Sequence, residues 1–304
     1  MDDVRNSSVV HNSTYDAAFP FKMRLWQFLF ACNGAVSWRW YDEVTLGRVK
    51  KGKIHCHVSG ESALFEQGQC FLVNAGALHM YAADESDPDA EMETIQFHPA
   101  LIADPDSDVF ARCVAPLAGC RGLPLLRLDG PEAWQAEACA LVGQALSLDR
   151  TDFGYELLVR NHVTALWLLL MEHTRRRREA LPDSENQLVN EQRAKRMLSY
   201  IYRHFQQELT IDLIAASASI SRSECFRCFR RAINSKPIEF LNDYRVERAV
   251  DLLLHTEQSI TDICYQCGFS SPSYFGKVFR SVTGTAPRGF RQQLRRHMER
   301  PEAL

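Results

Sequence analysis

SITDICYQCGFSSPSYFGKVFRSVTGTAPRGFR, residues Ser259–Arg291, reads as two short helices joined by a tight turn. Ser259 is placed to cap the first helix, with Asp262 three positions on, the spacing of a capping box. Ile260, Ile263, Cys264 and Cys267 recur at helical spacing and form its apolar stripe. Gly268 ends that helix, because glycine enters the left-handed C′ conformation without a Cβ clash. Ser271-Pro272 then restarts it, a serine N-cap followed by proline at the first helical position, where its missing N–H costs nothing. Phe275, Val278, Phe279 and Val282 make the buried face of the second helix, and Gly284 stops it. Ser273, Tyr274, Gly276 and Lys277 are left facing outward. Two crossed helices of this size, the second with a small, polar and cationic outer face, describe a helix-turn-helix.

Moving fifty residues upstream lands on a second copy without gaps. Over Leu209–Arg245 against Ser259–Arg295, eight of 37 pairs are identical, among them Asp212/Asp262, Ser221/Ser271, Phe229/Phe279, Arg230/Arg280 and Pro237/Pro287. Ordinary composition gives about two. The chain therefore carries two helix-turn-helix units, at about 210–234 and 259–284. In the first, Ser221 and Glu224 form the capping box of the second helix, and Asn234 stands where Gly284 stands in the other copy, an allowed left-handed residue. Between the units, Pro237 to about His255 reads as one helix, a rigid spacer of about 28 Å. One turn of DNA advances about 34 Å, so such a spacer can set two helices into successive grooves on one face.

Gly268, Phe269, Ser270, Ser273, Tyr274, Phe275, Phe279, Arg280, Gly284 and Pro287 together resemble the C-terminal signature of the AraC/XylS family of bacterial transcription regulators. The resemblance extends, more weakly, over nearly the whole chain. It implies double-stranded promoter DNA as a partner, along with RNA polymerase. Carried over by place in the motif, the base-reading residues are Ser223, Phe226 and Arg227 in the first unit. In the second they are Pro272, Ser273, Gly276 and Lys277. Arg227 is the strongest of these, since its planar fork can grip guanine O6 and N7. Phe226 either meets a thymine methyl or folds back onto the core. Ser221, Arg230, Lys236, Ser271 and Arg280 are candidates for the DNA backbone; the cations among them are equally readable as solvated surface charge.

The chain is 304 residues long with 46% apolar residues, enough for two cored domains. Its net charge of −3 argues alone against a nucleic-acid binder, but the charge is unevenly spread. Residues 1–183 hold 17 Lys and Arg against 25 Asp and Glu, whereas 184–304 hold 18 against 13, so the second part is the cationic one. The ten cysteines form no close-spaced framework and no signal peptide opens the chain, so reduced thiols and a cytoplasmic location are expected. Cys225-x-x-Cys228 and Cys264-x-x-Cys267 have zinc-ribbon spacing, yet each pair lies on the apolar stripe of a separate helix bundle. They are read as core, with no metal. The apolar run Val163–Met171 is too short to span a bilayer.

Residues 1–20 are polar and unpatterned, and are expected to form a flexible arm. From 21 to 130, short strands separated by glycines suggest a small barrel or sandwich. The stretch 52–79, GKIHCHVSGESALFEQGQCFLVNAGALH, resembles the later half of a cupin barrel, which such regulators use to sense an effector. Cupin enzymes hold a metal on a His-x-His motif, then a Glu, then a later His. Here that first motif falls on Trp38 and Trp40, so no metal is expected. The literal match His55, His57, Glu61 and His79 leaves no residues for the hairpin between the two motifs. Candidate pocket residues are therefore Trp38, Trp40, His55, His57 and His79. The tryptophans are equally readable as core, and the histidines as ordinary half-buried side chains.

Two amphipathic helices follow within 131–175, the usual dimerisation pair by resemblance. The second is apolar around more of its circumference than one buried stripe needs, which implies a second contact with the barrel or a partner chain. Arg175–Arg178 open an interdomain linker, 176–188, and read as a solvated helix end. The DNA-binding region is 189–297.

The expected fold class is therefore α+β and multidomain: a cupin-like β-barrel with a helical dimerisation pair, then an all-α region of two helix-turn-helix units on a linker helix. The expected function is a homodimeric, cytoplasmic transcription regulator answering a small-molecule effector, with no enzyme activity, cofactor or membrane partner. Its rivals are a metal-dependent cupin enzyme fused to a DNA-binding tail, and a ligand-independent regulator whose barrel only dimerises.

Overall fold

The computed structural model describes residues 10–16, 19–28, 34–180 and 185–298. These fall into two compact units, one built from 10–16, 19–28, 38–180 and 185–188, the other from 34–37 and 189–298.

The first unit carries nine strands: β1 (Val10–Asp16), β2 (Phe19–Gln27), β3 (Val44–Lys51), β4 (Lys53–Val58), β5 (Glu61–Glu66), β6 (Cys70–Val73), β7 (His79–Ala83), β8 (Glu91–Phe97) and β9 (Leu125–Arg127). They group into two sheets of orders β1-β2-β8-β3-β6-β9 and β5-β4-β7, where the strand spacing suggested a small barrel or sandwich and the resemblance a cupin-like barrel. Strand alternation reports which face is buried but not whether the outer strands meet, so closure was not readable. Residues 10–16, expected in an arm, pair as β1 along β2.

The space between the sheets is filled partly by rings. The Phe71 ring lies flat on Gly47 of β3, where a built Cβ would stand 2.2 Å from Phe71 Cζ. Only glycine admits that approach. Phe65 and Phe71 centroids are 4.6 Å apart, and Trp26 and Tyr81 centroids 6.0 Å.

The other face of the larger sheet is covered by α2 (Ala133–Leu146) and α3 (Tyr155–His173), which follow a short turn of helix, α1 (Ala115–Ala118). Leu46, Leu72, Ile95 and Phe97 from the sheet share one core with Val142, Val159, Val163 and Trp167. Each such side chain, fully buried, contributes about 1.5–3 kcal/mol relative to exposure. The Trp167 indole N–H donates to the Cys113 carbonyl at 3.0 Å, which satisfies the one polar atom of that ring. Cys70 on β6 and Cys139 on α2, 69 residues apart, form a disulfide with Cα atoms 5.6 Å apart, a departure from the reduced thiols expected of the sequence. A run of arginines forms α4 (Arg175–Ala180); the Arg178 guanidinium donates to the Met171 carbonyl at 3.0 Å and so caps the end of α3.

The second unit is helical: α5 (Glu185–His204), α6 (Ile211–Ser217), α7 (Arg222–Ile233), α8 (Pro237–His255), α9 (Ile260–Gln266), α10 (Pro272–Thr283) and α11 (Pro287–Met298). The caps at Ser221, Ser259 and Ser271 fall where the sequence placed them, and Thr210 adds one that the sequence reading did not name. Thr210, Ser221, Ser259 and Ser271 each accept from the backbone N–H three residues on, while Asn234 and Gly284 take left-handed conformations at the ends of α7 and α10.

α8 is the 19-residue helix on which both halves pack. Its Arg245 is 8% exposed and donates to the Phe205 and Gln207 carbonyls, at 2.8 and 2.7 Å, beyond the end of α5. The same guanidinium lies 5.6 Å from the Phe269 ring, in the turn of the second helix-turn-helix. Gly268 has φ of +81°, and a Cβ there would meet the Phe205 carbonyl oxygen at 2.4 Å. One arginine and one glycine thus join the two halves.

Candidate nucleic-acid interface and sensor interior

Each helix-turn-helix exposes the outer face of its second helix. On α7, Cys225, Cys228 and Phe229 are buried, leaving Ser223, Phe226 and Arg227 in solvent. The Phe226 ring is 36% exposed rather than folded onto the core. Arg227 is not idle: its guanidinium pairs with the Glu224 carboxylate one turn back. Glu224 also accepts from Arg193 of α5 at 3.3 Å. The capping box expected at Ser221 and Glu224 is therefore half present. Ser221 Oγ accepts from the Glu224 N–H, but the Glu224 carboxylate is drawn to the arginines. Two cations outbid one backbone N–H for a carboxylate.

On α10, Pro272, Ser273 and Lys277 are exposed and Gly276 half-exposed, while Phe275 and Phe279 are buried. The Tyr274 hydroxyl accepts from Asn242 of α8 at 3.1 Å and ties the start of the helix to the spacer. Arg230, Arg280 and Lys277 are exposed, with no ion-pair partner among the described residues. Lys236 meets Glu239 at 2.7 Å. Ser221 is exposed and Ser271 half-exposed, both spending their hydroxyls on caps.

The four CxxC cysteines sit within the two helical cores. Burial pushes the Cys225 thiol up to about 11, with Cys228 adding to it, and burial pushes Cys267 up to about 12. Both stay protonated at neutral pH, as thiols packed in a core do.

The sensor candidates divide by strand phase. Ile54, Cys56 and Val58 of β4 are buried toward the larger sheet, so His55 and His57 lie on the opposite, outer face. His55 Nε2 meets Asp84 at 2.8 Å, and the His57 ring stands 6.4 Å from that of Trp38. Of the five candidates only His79 faces inward: it pairs with Val58, is 2% exposed and gives Nδ1 to the Ala77 carbonyl at 2.9 Å. Arg39 bridges to His79 across the edge of β7, which puts Arg39 on the inner side with it. Trp38 and Trp40 fall in the opposite phase, yet Trp38 is only 7% exposed, as its reading as core expects, while Trp40 is half-buried. The inward groups that sequence reading missed are Arg24, Arg39, Tyr41 and Tyr81. The signal was present, since Arg39 sits between Trp38 and Trp40, which read equally as pocket floor and as core.

Comparison with known proteins follows this geometry. A family model described as a helix-turn-helix domain matches residues 214–293. The HTH-type transcriptional regulator YdeC of Bacillus subtilis (strain 168) is 27% identical over 263 residues, covering 86% of this chain and 87% of YdeC. The HTH-type transcriptional activator RhaS of Shigella sonnei (strain Ss046) is 27% identical over 232 residues, covering 74% of this chain and 79% of RhaS. Among solved structures, ToxT from Vibrio cholerae aligns over 90% of this chain and 99% of its own, at 14% identity and a TM-score of 0.49. Two capped helix-turn-helix units sharing one spacer helix, and relatives named as regulators along most of their length, make this chain a helix-turn-helix transcription regulator similar to those of the AraC/XylS family.

Proposed function

We propose that the chain acts as an effector-responsive, homodimeric regulator in the cytoplasm, with α7 and α10 reading successive major grooves of one promoter face. The observation that carries this is α8: a continuous 19-residue helix holds both readers, and Arg245 and Gly268 fix the second half against the first. Arg227 reads a guanine. Ser223, Phe226, Pro272, Ser273, Gly276 and Lys277 line the base edges, and Ser221, Ser271, Arg230, Lys236 and Arg280 hold phosphates. Promoter-bound in this way, the protein recruits RNA polymerase.

The first unit serves as the sensor, a cupin-like sandwich that holds an effector and performs no catalysis. What supports this is the polar and aromatic interior between the sheets. Dimerisation through α3 is supported by Leu157 and Leu168, 67% and 58% exposed on a helix whose other face is fully packed. For location, no helix among the described residues is long and apolar enough to cross a membrane.

Mapping genomic binding sites and then titrating the recovered promoter tests the regulator reading. Sequence-specific sites upstream of genes are expected, with affinity that falls steeply with salt. Binding with no preference over random DNA would contradict it.

A further inference from the structure

The space between the two sheets is chemically lopsided. Around Gly47 it is closed by the Phe65 and Phe71 rings, whereas toward β2 it is cationic. Arg24 shares a face of β2 with Trp26, two residues on, and its guanidinium lies 6.0 Å from that indole; its Nη1 donates to Gln96 Oε1 at 2.6 Å, and the guanidinium lies 5.8 Å from the Tyr41 ring. Arg39 arrives from the opposite side, held by backbone hydrogen bonds of 2.8 and 2.9 Å to His79, with its guanidinium 4.9 Å over the Trp26 indole. Two guanidiniums from separate elements thus converge on one indole and one phenol.

Like charges held this close repel, and partial burial makes the repulsion costlier. Among the described residues no carboxylate meets Arg24. Tyr41 registers the resulting field. Burial alone would push its phenol up, but Arg39 and Arg24 together outweigh burial and bring it below its ordinary value. At the Tyr41 hydroxyl, then, two guanidiniums offset the loss of water that an anion would suffer there. Facing the same two arginines is Tyr81, 1% exposed, where burial outweighs them and holds the phenol well above its ordinary value, so it keeps its proton to donate; its hydroxyl finds no hydrogen-bond partner among the described residues. A buried hydroxyl without a partner is a group waiting for one.

The geometry points to an anion-recognition site: Arg24 and Arg39 grip the carboxylate of a small organic acid, Tyr81 donates to it, and its apolar body lies against Trp26. The acid is the effector, so this inference rests on the sensor reading above. Paired guanidiniums suit a carboxylate because each presents a planar fork to its two oxygens.

The test uses the full-length protein in thermal-shift and calorimetric titrations. Benzoate, phenylacetate, hexanoate and octanoate are each run beside the corresponding primary amide, with neutral sugars, alcohols and a general metabolite library as a further arm. An acid is expected to raise the melting temperature in proportion to the logarithm of its concentration, with its amide silent. Arg24→Gln and Arg39→Gln should each weaken that acid about tenfold or more. Arg24→Lys and Arg39→Lys keep the charge and should recover part of the affinity, which separates lost recognition from lost fold. His57→Gln, on the outer face, should change nothing. Equal binding of acid and amide, indifference to both glutamine variants, or a neutral sugar as the tight ligand would overturn the anion inference and leave the sensor reading in place. Silence across every arm would overturn the sensor reading too.

Discussion

Glu224 and Arg227 form an ion pair one turn apart on α7, and the same carboxylate reaches across to Arg193 of α5. Arg227 keeps 61% of its side chain in solvent while Glu224 keeps 15%, so the arginine is presented outward by a carboxylate that is itself held. Such an exposed pair is worth only about 0.3–1 kcal/mol, enough to orient the guanidinium and little enough to release it to a base.

Removing the orienting group should therefore loosen selectivity more than affinity. Glu224→Gln is expected to bind random-sequence DNA about 2- to 5-fold more tightly, because a negative charge near phosphate is lost. Discrimination among single-base variants of the operator should shrink. Arg227→Ala should cost about 1–3 kcal/mol at one base pair and little at the others. Fluorescence anisotropy over a set of singly substituted operators measures both.

The junction of the two helical halves is the stability test. Arg245→Ala strands the Phe205 and Gln207 carbonyls and should destabilise the second unit by about 2–3 kcal/mol in urea melts. Gly268→Ala places a methyl against the Phe205 carbonyl at a positive φ, and should cost about as much. Both variants are expected to weaken operator binding without touching a base-reading residue.

Oligomeric state follows from the outer face of α3. Leu157→Glu with Leu168→Glu adds charge where the side chains already stand in solvent, so the fold should survive. Sedimentation is expected to show a dimer for the native chain and a monomer for the double variant, and equal sedimentation of the two would contradict dimerisation through α3.

Acid should weaken the sensor unit through His57. Burial, then the neighbouring His55, holds the His57 imidazole below its ordinary 6.5. The unfolded chain therefore takes up a proton at a higher pH than the folded one does. The contribution is complete above pH 6.5 and is lost as pH falls toward the folded value. Melts between pH 7.5 and 5 should show that decline, and His57→Gln should flatten it.

What the sequence disclosed was local chemistry. The serine caps, the left-handed Asn234 and Gly284, and the bounds of the spacer at Pro237 and His255 all depend on neighbours within a turn or two, and all stand as read. What it hid depends on distant partners. His55 and His57 read equally as pocket lining or as ordinary half-buried side chains, because a strand's two faces look alike until its partner strand is known; with Cys56 inside they are the latter. The interior arginine Arg39 was passed over between two tryptophans for the same reason. Glu224 has the right spacing for a capping box, and only Arg193, 31 residues away, reveals its other engagement. The Cys70–Cys139 link joins strand to helix across 69 residues and leaves no local pattern.

The central claim is that two readers on one spacer grip adjacent grooves. Hydroxyl-radical footprinting of the native promoter with Arg227→Ala and Lys277→Ala, tested separately at fixed ionic strength, addresses it most directly. The account expects two protected patches about 10 base pairs apart on one face of the duplex, one weakened by each substitution. A single patch, or two patches that respond alike to either substitution, would contradict it.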